Sequence, residues 1–299
     1  MNFDQKDISF KPKPLFEDKE LQQRLLTKKK ELVDQYRPKE SSFLDIYSED
    51  EINVDLKEIE YIKSTWEEKT TNGEYIKNVS SIYEGVIADQ ISANAWFGDN
   101  CESVATSEYD DIKNGVDVVT IFNQNESKQY LGLGIDVTFA SDKKILEKKL
   151  ESIKQCISAM TLPSLKYFQD PETGEHKKIF LPKVIIGSRL SSAEKLIQLW
   201  GGKDSKKNKK LAQHPVSSKI IMETLAQLKY FHEYALRLFQ NDSNISNQEE
   251  YRKIAIEYGK MYNTFVDVYQ AKKEIIDSHL NEISDDIVYE TICEYVNKS

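Results

Sequence analysis

Two apolar runs that each carry one carboxylate, between Gly115 and Phe139, constrain this chain more than any other stretch. They are Gly115-Val116-Asp117-Val118-Val119-Thr120-Ile121-Phe122 and Tyr130-Leu131-Gly132-Leu133-Gly134-Ile135-Asp136-Val137-Thr138-Phe139, separated by a polar segment. Both are short and β-branched, which predicts two adjacent antiparallel strands. An aspartate in a half-buried strand loses hydration, at a cost of several kcal/mol unless a partner or a metal compensates. Two such residues on neighbouring strands therefore suggest a cation between them. Hard oxygen donors facing a partly open site suit Mg²⁺ or Mn²⁺. Ordinary hydrogen-bonded strand carboxylates in a mostly helical interaction protein stand as the plainer alternative.

With 299 residues the chain can bury a sizeable core, as one domain with appendages or as two small domains. No apolar run approaches the ~20 residues that span a bilayer, so no membrane association is expected. The start, Met1 to Asp7, lacks the basic and then apolar pattern of a signal peptide, and a cytoplasmic location is the default expectation. Cys101, Cys156 and Cys293 are odd in number and far apart, which points to neither a disulfide framework nor a zinc site. The histidines, His176, His214, His232 and His279, lack ligand spacing and are assigned no chemistry. A net charge of −9 argues against sequence-blind attraction to nucleic acid unless basic residues gather on one face.

The pattern divides into residues 1–71, an arm and helices; 72–202, an α/β core; 203–214, a Lys-rich linker; and 215–299, a helical region. Apolar spacing predicts helices over Glu17–Tyr36, Asp50–Trp66 and Glu74–Ala95. Glu84 lies at the margin of the third helix's apolar face. Ser81 to Glu84 also fits a capping box, which would make Glu84 a helix-start residue. Glu102–Ser107 reads as a first strand, Asp110 and Asp111 as solvated turn residues or, alternatively, ligands of a second ion, and Asn114-Gly115 as a hairpin-like turn.

After Phe139 the period becomes helical over Lys143–Ala159, with Ile145, Leu146, Leu150, Ile153 and Ile157 inward. Lys149 falls inside that stripe, either pointing an ammonium at the strand carboxylates or snorkelling to water. A hairpin follows around Asp170-Pro171-Glu172-Thr173-Gly174, then a buried strand, Pro182–Gly187, and a helix opened by a capping box at Ser191–Glu194. The five lysines of the linker, Lys203, Lys206, Lys207, Lys209 and Lys210, read as a solvated loop or as a contact for a phosphate backbone. Three helices are expected in the C-terminal region, one after Ser246–Glu249 and one after Asp277 or Ser284.

Gly115-Val116-Asp117 and Ile135-Asp136-Val137-Thr138, in the order helix, three strands, helix, strand, resemble the PD-(D/E)XK nuclease-like (restriction-endonuclease-like) superfamily over roughly Asn72 to Trp200. The resemblance implies an α/β (α+β) αβββαβ core flanked by N-terminal and C-terminal helices. It implies a Mg²⁺- or Mn²⁺-dependent endo- or exonuclease acting on DNA or RNA. Glu84, Asp117 and Asp136 would then hold the metal with the Val137 carbonyl as a further ligand. Thr138 stands where the superfamily carries its lysine, which positions water and stabilises developing charge. Some members shift that lysine to the following helix, where this chain has Lys149. The departure at Thr138 also fits a nuclease-like module without turnover that binds nucleic acid or, through the terminal helices, a protein partner.

Overall fold

The computed structural model describes residues 19–67, 73–123, 131–139, 143–203 and 205–298. Helix α1 (Lys19–Leu32) leads through 3-10 turns at Asp34–Tyr36 and Glu40–Ser42 to α2 (Glu49–Glu67) and α3 (Gly73–Ala93). The middle of the chain runs β1 (Cys101–Ala105), α4 (Glu108–Asn114), β2 (Val118–Phe122), β3 (Leu131–Phe139) and α5 (Lys143–Ser158). A hairpin of β4 (Ser164–Gln169) and β5 (His176–Phe180) precedes β6 (Lys183–Ser188). The remainder is helical: α6 (Leu190–Gly201), α7 (Lys207–Ala212), α8 (Pro215–Asn241), α9 (Ile245–Ser278), α10 (Leu280–Ser284) and α11 (Ile287–Lys298). The class is α+β, and no helix among the described residues is long and apolar enough to cross a membrane.

A mixed sheet in the order β1-β2-β3-β6 organises the core. The pairs β1/β2 and β2/β3 are antiparallel, with Val118 opposite Ile135, and β3/β6 is parallel, with Asp136 opposite Ile185. A parallel pair needs a long crossover, here built from α5 and the β4/β5 hairpin. Side chains alternate along β3. Leu131, Leu133, Ile135 and Val137 join the core under α3, where Val79, Ile82, Tyr83, Val86 and Ile91 pack. On the other face Val119 and Ile121 meet Leu165, Phe168 and Leu181 beneath the hairpin. Asp136 belongs to that second face by the same period, and Asp117 lies just before β2 at the same end of the sheet.

Strand β6 is an edge, and α8 covers it in place of a fifth strand. Ile185 N donates to Gln227 Oε1 (2.9 Å), Gln227 Nε2 donates to Ile185 O (2.6 Å), and Gly187 N donates to Glu223 Oε2 (3.0 Å). These bonds satisfy backbone groups that a bare edge would leave open. Residues 215–298 consequently share the sheet's core, with Leu228, Phe231, Val288 and Ile292 in one cluster with Val184 and Ile186.

Gly187 lies where β3, β6 and α11 meet. A Cβ there would run into the Thr138 carbonyl oxygen, which is ladder backbone, and would stand 3.1 Å from Val288 Cγ1. Gly187→Ala is therefore expected to destabilise the chain by about 2 kcal/mol through overpacking. Urea unfolding measures this, and an unchanged midpoint would contradict the β3/β6 register.

Several local expectations fail, among them the inward placement of Ile145, which is 50% exposed, and the start of a helix after Ser246–Glu249, since α9 begins at Ile245. Asn114-Gly115 is no hairpin turn: Gly115 is the left-handed C-cap of α4, at φ 60°. Asp110 is no solvated residue; it is buried and accepts from Lys166 N (2.7 Å) and Tyr167 N (2.9 Å) of β4. Ser191 to Glu194 does not open α6, whose N-cap is Arg189, and Glu194 instead takes a hydrogen bond from the Tyr75 hydroxyl. Part of the lysine-rich linker coils into α7.

Candidate active site

Gly115 sets the geometry of the sheet end. Its positive φ turns the chain out of α4 into β2, and a Cβ there would stand 3.0 Å from Lys183 Nζ and 3.4 Å from Asp136 Oδ2. Glycine provides both the turn and the room. Two residues on, Asp117 extends the β2/β3 ladder through its N–H to Ile135 O (2.9 Å). Its Oδ2 accepts from Val137 N at 2.6 Å. Val137 thus meets the site through its N–H.

Asp136 projects from the middle of β3 and is buried. Lys149, from the second turn of α5, donates to its Oδ1 at 2.6 Å, and Lys183 stands 3.5 Å from Oδ2 while donating to Asn114 O at 3.0 Å. The inward position of Lys149 in the α5 stripe therefore ends on a buried carboxylate. Burial works against its charge, but Asp136, Asp117 and Glu84 outweigh this and hold the ammonium above the ordinary lysine value. Lys183 escaped sequence reasoning, although a lysine opening a buried apolar strand was a usable signal.

Glu84 sits mid-helix in α3, which begins at Gly73, so Ser81 to Glu84 is not a cap. Ser80 Oγ donates to Glu84 Oε1 at 3.1 Å. Burial first, and then Asp111, push the Glu84 carboxyl up to about 7, against the pull of Lys29 and Arg37. Asp117 is driven well above the ordinary aspartate value by burial and then by Glu84, Asp111 and Asp136. Asp111 is thus a fourth member of the cluster. It hydrogen-bonds Asp117 and pairs with Arg37 Nη1 at 3.0 Å. No local pattern marks it, because its partners lie on other elements.

Among the described residues no three Asp, Glu, His or Cys side chains already form a cation cage. Asp136 faces two ammonium groups, and one oxygen of Asp117 faces an N–H. The charge nevertheless fits a divalent ion. Glu84 and Asp117 are both raised by burial and by one another's neighbours, so a cation beside them would relieve desolvated negative charge. Comparison with protein-family models, with curated proteins and with solved structures finds no match to this chain.

Proposed function

We propose that this protein is a metal-dependent phosphodiesterase acting on nucleic acid, on the αβββαβ plan of the PD-(D/E)XK nuclease-like superfamily. The observation that carries the reading is the contact of Lys149 Nζ with Asp136 Oδ1 at 2.6 Å. It brings an ammonium from the following helix to the acidic strand on which Thr138 replaces the motif lysine. The order α3, β1, β2, β3, α5, β6 supports the plan, with α4 and the β4/β5 hairpin as insertions. A likeness of fold does not establish chemistry, so the proposal rests on the site.

Glu84, Asp117 and Asp136, with the Val137 carbonyl, are the groups that would hold Mg²⁺ or Mn²⁺. Such an ion supplies Lewis acidity and lowers the pKa of a bound water. The chain's own cations do the rest. Lys149 offers an ammonium to negative charge that develops on the phosphate, in a half-buried place where such stabilisation is stronger than in water. Lys183 compensates the second oxygen of Asp136, and Arg37 compensates Asp111.

A second reading, a nucleic-acid-binding module without turnover, is favoured by one observation: both oxygens of Asp136 already face lysine. Digestion of single- and double-stranded DNA and RNA in Mn²⁺ separates the two. Hydrolysis by the wild type that Asp117→Ala lacks supports the enzyme, and equal activity of the two proteins excludes this site.

A further inference from the structure

We infer that the substrate is held as a single strand, with one nucleobase stacked in a groove beside the carboxylates; this rests on the phosphodiesterase reading above. The groove, about 290 Å³, is walled by Tyr36, Pro38, Val104, Thr106, Val119 and Phe168. Its walls lie next in the chain or the ladder to members of the acidic cluster on two sides. Val119 of β2 is two residues after Asp117, about 7 Å along the backbone at strand spacing. Thr106 N donates to Asp117 O at 3.2 Å. On the opposite wall, the residue after Tyr36 is Arg37, which pairs with Asp111 of the cluster at 3.0 Å.

Size and chemistry select the occupant. Pockets for drug-sized ligands run roughly 300–1,000 Å³, so this groove suits one planar base and not a length of polymer. Most of its wall is apolar or aromatic, with Thr106, Gln169 and Asp170 as the polar exceptions, and Tyr36 is 70% exposed, which leaves its ring open as a stacking platform. Arg37, next in the chain to Tyr36, has N–H donors beyond the one that meets Asp111. A chain of net charge −9 has little general attraction for polyphosphate, which leaves stacking to supply affinity. Bases inside a duplex are stacked on one another and out of reach, so the strand presented here is unpaired.

The test is fluorescence anisotropy with short fluorescein-labelled oligonucleotides of one mixed sequence, as single-stranded DNA, single-stranded RNA and duplex DNA, in EDTA to prevent hydrolysis. Single strands are expected to bind more tightly than duplex, and whichever sugar binds tighter identifies the substrate. Tyr36→Ala is expected to weaken single-strand binding about tenfold, as loss of one base–aromatic stack does, with Tyr36→Phe near wild type. Duplex binding as tight as single-strand binding, or full affinity in Tyr36→Ala, overturns the inference. Mn²⁺ calorimetry on the same proteins separates the two proposals. Absent Mn²⁺ binding with the Tyr36 effect intact removes the hydrolase and keeps the groove. Mn²⁺ binding with no Tyr36 effect does the reverse.

Discussion

Lys149→Ala is expected to slow Mn²⁺-dependent hydrolysis by about 10²–10³-fold, the usual consequence of removing one preorganised donor from developing negative charge. The cation's affinity is expected to survive. Without the ammonium 2.6 Å away, Asp136 keeps Lys183, at 3.5 Å, as its ion-pair partner among the described residues and becomes the more available to a divalent ion. Asp117→Ala should behave differently, losing cation binding and hydrolysis together. Initial rates paired with Mn²⁺ calorimetry distinguish these outcomes. A Lys149→Ala protein with wild-type rate would falsify a role for this lysine in the reaction and leave it as a charge partner alone. A protein that lost Mn²⁺ binding as well would show that Lys149 acts by holding the sheet end together.

The second large effect concerns stability and lies behind the sheet. Glu223 is fully buried; one of its oxygens accepts from Gly187 N and the other has no hydrogen-bond partner among the described residues. Burial is the main cause that pushes its carboxyl from 4.5 up to about 8, with Asp286 adding and Lys219 opposing. The folded chain therefore holds a proton that the unfolded chain releases near its ordinary value. Well below pH 4.5 both states hold it and this group is neutral to stability. As pH rises from there towards 8, stability is lost, and above 8 the loss is complete. At about 1.4 kcal/mol per pH unit, Glu223 is expected to cost about 4 kcal/mol between roughly pH 5 and pH 8. Glu223→Gln removes this slope. Urea unfolding across that range measures it, and parallel stability curves for the two proteins would show that Glu223 ionises freely in the fold.

Much of the architecture was legible because a repeating pattern of burial is written locally. The stripe Ile76, Val79, Tyr83, Val86 predicted α3, and the stripe through Leu146, Leu150 and Ile153 predicted α5, each within two residues of the observed ends. Asp117 and Asp136 stood out as charges in apolar runs, and Lys149 as a charge inside an apolar stripe. Asp110 failed for the converse reason. Its neighbours Tyr109, Asp111 and Lys113 suggest solvent, while the backbone donors that bury it come from β4, 56 and 57 residues away.

By itself, then, the amino-acid order determined the periods of α3, α5 and the paired strands, and which carboxylates could not be taken out of water without cost. Those are properties of a residue and its near neighbours. Only the tertiary structure decided that Asp111 joins Glu84 and Asp117, that Lys183 and Arg37 face them, and that Tyr36 walls a groove beside them. Such contacts join segments with no shared periodicity, such as Arg37 and Asp111, 74 residues apart. Their strength depends on distance and on excluded water, and both come into being only when the chain has closed.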